Sequence, residues 1–250
     1  MFDAVTMLLI AGTFLFAGAV KGVIGLGLPS VSLALLTVVI DLPNAMALLL
    51  VPSFVTNVWQ ALVGGNGRAV FVRLWPFLLM ATGTIWLGAS ALTRVDLNLL
   101  SGLLGVLLIA YSTANLAGLR LSITRRHETW SGPVFGLVNG VLTGMTGTFV
   151  VPGVLYLQAI GLPRGMLVQA MGILFLVSTV ALAAALKGNG FLTLELSKLS
   201  FAAVIPAIAG MALGQRIRAK LSERLFRRFF FVSLLILGTY IIIGAYEGLQ

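Results

Sequence analysis

Charged residues are scarce along this chain, and they punctuate it into eight apolar runs: about 4–40, 43–63, 71–92, 95–118, 131–160, 163–186, 195–213 and 229–247. Most have the roughly 20 residues that a helix needs to cross a hydrocarbon core. The expected fold is all-α, a polytopic integral membrane protein. The first and fifth runs differ from the rest. Each is longer and is interrupted in its middle by glycines, so its halves of about 13–17 residues are short for a full crossing.

Composition points the same way. Of 250 residues, 59% are hydrophobic and 9% charged, and the mean hydropathy is +1.09. A soluble domain carries about a quarter charged residues on its surface, so the solvent of this chain is lipid. The Met-Phe-Asp start has no basic region and does not read as a signal peptide. The absence of cysteine excludes disulfides, thiolate metal sites and thiol nucleophiles, and the reading calls for no metal and no cofactor. The net charge of +9 would suggest nucleic acid in a soluble protein. Here the cations sit mostly in loops, where membrane orientation accounts for them, and no nucleic-acid partner is expected.

Those cations set an expected topology. Arg68 and Arg73 form one loop cluster, Arg120, Arg125 and Arg126 a second, and Arg216, Arg218, Lys220, Arg224, Arg227 and Arg228 a third. Placing all three in the cytoplasm follows the positive-inside tendency. It requires an even number of crossings between clusters, so the runs 4–40 and 131–160 must each go in and come back. Both termini then lie outside, in the periplasm. Twelve of the sixteen Lys and Arg, Arg164 among them, face the cytoplasm.

The two interrupted runs resemble each other. Gly22, Gly25 and Gly27 align with Gly140, Gly144 and Gly147, and Leu42-Pro43 aligns with Leu162-Pro163. The chain divides into a first repeat at 1–118, a cytoplasmic connecting loop at 119–130 and a second repeat at 131–250. Each repeat has one broken segment and three spans, which is an odd count of crossings, so consecutive copies are inverted. Inverted repeats with broken or re-entrant helices place a substrate site where the breaks meet.

The chemistry of such a site is legible. A helix restarting after a break points free N–H groups and a positive dipole end into the gap, which favours an anion. Lys21 adds a full positive charge beside Gly22, and no carboxylate lies deep in an apolar run. A lysine in hydrocarbon is unfavourable by at least about 2.5–3.5 kcal/mol, and a substrate anion could supply its counter-charge. Snorkelling or bonding to exposed carbonyls is the competing reading. Asn139 matches Lys21 in the repeat, and Thr143, Thr146 and Thr148 surround the second glycine set. Back-bonding to their own helix is the commoner fate of such threonines. Asn57, Gln60 and Gln169 lie on the spans after the breaks, where interhelical hydrogen bonding competes with lining a path. The segment Arg216–Phe229 repeats apolar positions every four residues between arginines, as an amphipathic helix on anionic lipid headgroups would. Enzymatic chemistry is poorly served: the single histidine lies in a loop, no nucleophile or metalloprotease motif occurs, and only a Lys21–Ser32 dyad can be imagined.

The Lys-Gly-Val-Ile-Gly-Leu-Gly stretch at 21–27, Leu42-Pro43, Pro52, Asn57 and the glycines at 140–147 resemble the TauE/SafE family of sulfite-exporter-like membrane proteins, over nearly the whole chain. The resemblance implies a bacterial inner-membrane permease for small sulfur-containing anions such as sulfite, sulfoacetate or other organosulfonates, usually moved outward. Beside it stand import of a different small anion, such as a carboxylate, and a non-transporting assembly protein. A homodimer is compatible with each.

Overall fold

The computed structural model describes residues 2–119, 121–218 and 222–249, with the side chain of Glu223 outside that set. Among these residues there is no strand. The helices are α1 (Ala4–Ile24), α2 (Leu28–Leu36), α3 (Leu42–Leu62), α4 (Gly67–Gly83), α5 (Ile85–Ala89), α6 (Leu97–Leu116), α7 (Glu128–Thr146), α8 (Gly153–Ala159), α9 (Arg164–Gly188), α10 (Leu194–Arg218) and α11 (Glu223–Glu247). Among the described residues seven segments are long and apolar enough to cross a membrane: α1, α3, Gly67–Thr93, α6, α9, α10 and Arg224–Glu247.

Four sequence expectations change. The first run does not split into two short halves: α1 has 21 residues, enough to span, and α2 has nine. The fifth run yields α7 and the short α8 but no candidate span, because Pro133, Asn139, three threonines and four glycines dilute α7. The run 71–92 begins earlier, at Gly67, and steps at Thr84 between α4 and α5. The basic segment 216–229 is divided, Arg216 and Arg218 ending α10 and Arg224–Phe229 opening α11. Ser222 caps α11 through its hydroxyl, which accepts from the Leu225 amide, while Lys220 and Arg120 lie outside the described residues.

The chain forms two compact units that cut across the sequence halves: Met1–Pro52, Val95–Gly118 and Leu192–Gln250 in one, Ser53–Arg94 and Leu119–Phe191 in the other. In the first unit α1 packs on α10 with almost no side chain between. A Cβ on Gly18 would overlap the Ala207 carbonyl, one on Gly22 the Met211 carbonyl, one on Gly210 the Leu15 carbonyl and one on Gly214 the Ala19 carbonyl. Small residues four apart let two backbones meet where lipid offers no hydrophobic drive for association. Gly105 of α6 and Gly238 of α11 do the same for that pair: a Cβ on Gly105 would lie 2.7 Å from the Gly238 carbonyl oxygen.

Pro52 shows how the first unit handles a broken ladder. Proline has no N–H, so the carbonyl four residues earlier loses its helical donor. That carbonyl belongs to Leu48, and Ser200 of α10 donates its hydroxyl to it at 2.8 Å. The Val51 amide donates in turn to Ser200 Oγ at 3.1 Å. Ser200 thus substitutes for the missing donor.

In the second unit α7 packs on α4 and α5 by the same device. Gly136 faces the Phe77 carbonyl, Gly140 the Ala81 carbonyl and Thr84 hydroxyl, and Gly144 the Ile85 carbonyl, each with no room for a Cβ. Thr84 donates to Met80 O at 2.7 Å and to Leu137 O at 3.0 Å, tying the α4–α5 step to α7. Arg73 is not a loop residue as the sequence suggested. It sits in α4 and pairs with Glu128 at the start of α7, Nε to Oε2 at 2.9 Å and Nη2 to Oε1 at 2.6 Å. The same guanidinium donates to Ile160 O, at the end of α8, at 3.0 Å. Tyr156 of α8 stacks between Phe77 and Phe135, with ring centroids 4.8 and 5.3 Å away.

Two outcomes are expected. Gly214→Val should lower the thermal midpoint in detergent, an overpacking loss of about 1–3 kcal/mol, while Gly12→Ala, with nothing within 4 Å of its Cβ, should leave it unchanged; nanoscale fluorimetry reads both. Ser200→Ala strands the Leu48 carbonyl and should cost about 1–3 kcal/mol. Adding Pro52→Ala restores the backbone donor, and a double-mutant cycle should show the Ser200 effect shrinking in that background.

Candidate functional site

Each unit holds one interruption. In the first unit α1 ends at Ile24 and α2 begins at Leu28. The three residues between include Gly25 at φ 82° and Gly27 at φ 107°, a region closed to side chains with a Cβ except at a penalty. Gly25 donates to Lys21 O at 2.7 Å and closes α1. Gly27 opens α2 without any side-chain cap, and Pro29 follows in its first turn. The leading N–H groups of a helix have no intrahelical acceptor. In that first turn lies Ser30, 1% exposed, whose Oγ makes no hydrogen bond, and the chain just before the break holds Lys21, 5% exposed, in the last turn of α1. Gly22 is not part of the break: it lies inside α1 against α10.

In the second unit α7 ends at Thr146, Gly147 takes φ 73°, and α8 begins at Gly153. This break is furnished differently. Asn139, fully buried, accepts the Gly153 amide on Oδ1 at 2.8 Å, so the first N–H of α8 already has an acceptor. Thr143 donates to Thr148 O at 2.8 Å, and the Thr148 amide leans on Thr146 Oγ1 at 3.4 Å. Thr146 itself back-bonds to Leu142 O at 2.7 Å. Asn139 Nδ2 is left without a hydrogen-bond partner. Gly140 and Gly144 lie inside α7 and serve its packing on α4 and α5.

The structure gathers the remaining sequence candidates elsewhere. Gln169 accepts the Asn66 amide at 2.8 Å and donates to Ala61 O at 2.8 Å, holding the turn between α3 and α4 with both ends of its amide. Gln60 donates to Val168 O at 3.0 Å, and its Oε1 is without a hydrogen-bond partner. Asn57 is fully buried in α3. Lys21, Gly25 and Gly27 therefore cluster with the first break. Asn139, Thr143, Thr146, Gly147 and Thr148 cluster with the second. Gln60 and Gln169 belong to the contact of α3 with the start of α9.

Two residues at the first break escaped the sequence reading. Ser30 was legible as a polar residue in the first turn of α2, three positions after Gly27. Phe230 was not. Its Cε2 and Cζ atoms lie 3.2 Å from where a Cβ on Gly27 would be, a contact that nothing local in the sequence signals.

Neither the curated proteins nor the solved structures compared with the chain gave a match. A protein-family model described as Sulfite exporter TauE/SafE matches residues 10–241, a span that contains both breaks and every residue of the two clusters. That family is one of transporters and not of enzymes, and this chain, all-helical with seven candidate spans among its described residues, belongs to it: it is a membrane transporter of the TauE/SafE sulfite exporter family.

Proposed function

We propose that the protein is a permease for a small sulfur-containing anion, sulfite, sulfoacetate or another organosulfonate, with the break between α1 and α2 as its anion site. The observation that carries the reading is the coincidence at one place of an uncapped helix start, the buried unsatisfied hydroxyl of Ser30 and the buried Lys21. The helix start supplies N–H donors and a positive dipole end. Lys21 supplies a full charge, and Ser30 a hydroxyl donor. A sulfonate or sulfite oxygen matches each of them.

The second break complements this reading rather than repeating it. Where the first half has Lys21, the second has Asn139, whose carbonyl oxygen is bonded to the α8 amide. The electropositive break is thus the one in the first unit. An inverted repeat is supported by packing as well as by text. Gly18 and Gly22 meet α10 as Gly136 and Gly140 meet α4, so each broken segment packs on the second span of the opposite half. Keeping the three basic clusters on one face, the cytoplasmic one, asks both broken segments to return to the side they left and puts both termini in the periplasm. Flux is outward and facilitated. A negative-inside potential drives an anion out unaided, and the apolar spans bring no acidic proton relay with them.

Lys21→Met is the informative change. In proteoliposomes it should lower sulfite or sulfoacetate flux and binding by about tenfold or more, the value of a charge-assisted contact, with the thermal midpoint retained. Unaltered anion affinity in that variant would remove Lys21 from the site, and an absence of flux for every small anion in folded wild-type protein would sink the permease reading.

A further inference from the structure

We infer that Phe230 is a size filter on the anion site, a specificity-determining residue contributed by the far end of the chain; this rests on the assignment of that site to the first break. Gly27 is the residue from which α2 starts, so whatever lies on its face lies beside the helix start. Nearest to that face are Val20 of α1, with Cγ1 3.2 Å from the position of a Gly27 Cβ, and Phe230 of α11, with Cε2 and Cζ at the same 3.2 Å. It is the tip of the ring, not its flank, that reaches the glycine. An aromatic edge carries the positive side of the ring quadrupole, so this wall tolerates an anion while limiting the bulk attached to it.

The ring is held in place. Phe230 is 6% exposed and meets Phe231 with centroids 4.9 Å apart at 61°. Phe231 meets Tyr111 of α6 edge-on at 5.2 Å and 76°. The Arg227 guanidinium lies 5.6 Å from the Phe231 centroid and donates to Asn115 Oδ1 at 2.9 Å, and Asn115 donates to Tyr111 O at 2.9 Å. Behind this set α6 and α11 meet backbone to backbone at Gly105 and Gly238. Swinging Phe230 aside would break its contact with the Phe231 ring that this set holds, whereas shortening it opens space over Gly27. The chemistry selected is a compact oxyanion headgroup on a short or absent organic tail.

The test is a flux ratio in proteoliposomes, with sulfite as the compact anion and hexanesulfonate as the bulky one. Phe230→Ala should raise the hexanesulfonate-to-sulfite ratio by about tenfold, the discrimination a hydrophobic wall can supply. Phe230→Leu, which keeps most of the packing, should move it in the same direction by less, and Phe230→Trp should lower it. Lys21→Met should depress both fluxes and leave the ratio near the wild-type value. A ratio unchanged in Phe230→Leu and Phe230→Trp, with wild-type sulfite flux present, overturns the filter and leaves the anion site standing. No flux of either anion in wild type overturns both.

Discussion

In hydrocarbon there is no water to satisfy a stray N–H or C=O, so every departure from a continuous helix has to be answered inside the protein. The structure meets this demand case by case. The carbonyl freed by Pro52 is taken by Ser200. The loop carbonyl of Thr148 is taken by Thr143, and the first amide of α8 by Asn139. At the step between α4 and α5, Thr84 divides its hydroxyl between Met80 and Leu137. The start of α2 has no side-chain cap, and the buried serine hydroxyl in its first turn makes no hydrogen bond.

The same economy explains the glycines. A helix interior glycine is destabilising by about 0.5–1 kcal/mol relative to alanine, yet α1, α7 and α10 keep theirs in line because the neighbouring backbone lies where a Cβ would be. That close approach turns α1 with α10, and α7 with α4 and α5, into stiff pairs against which the short α2 and α8 are set. The two units then diverge in charge. In the second, Arg73 ties the start of α7 to the end of α8 through Glu128 and the Ile160 carbonyl. In the first unit α1 and α10 carry buried apolar residues, among them Ile10 and Ala203.

Much of this was legible in the sequence because hydropathy is local. Outside the first and fifth runs, the run lengths place the crossing helices to within a few residues, and the glycines at 25, 27 and 147 mark where the chain leaves the helix, since positive φ is a property of a single residue. Lys21 stood out because a cation in an apolar run is costly. The position of the first break was less legible: Gly22 reads like Gly25, and only the α10 backbone lying against it keeps that stretch helical.

What the sequence by itself determined is the solvent, the helical class, the rough limits of most spans and the residue types at the breaks, all of which follow from transfer free energies and backbone freedom acting residue by residue. What only the tertiary structure decided is partnership. That Gln169 spends its amide on the turn at Asn66, that Asn139 caps α8 while Lys21 stands at an uncapped helix start, that Arg73 meets Glu128, and that Phe230 covers Gly27 are contacts between residues from 14 to more than 200 positions apart. Such contacts depend on which helix faces pack together, and in an apolar alphabet many pairings bury equal area, so shape and hydrogen-bond satisfaction choose among them.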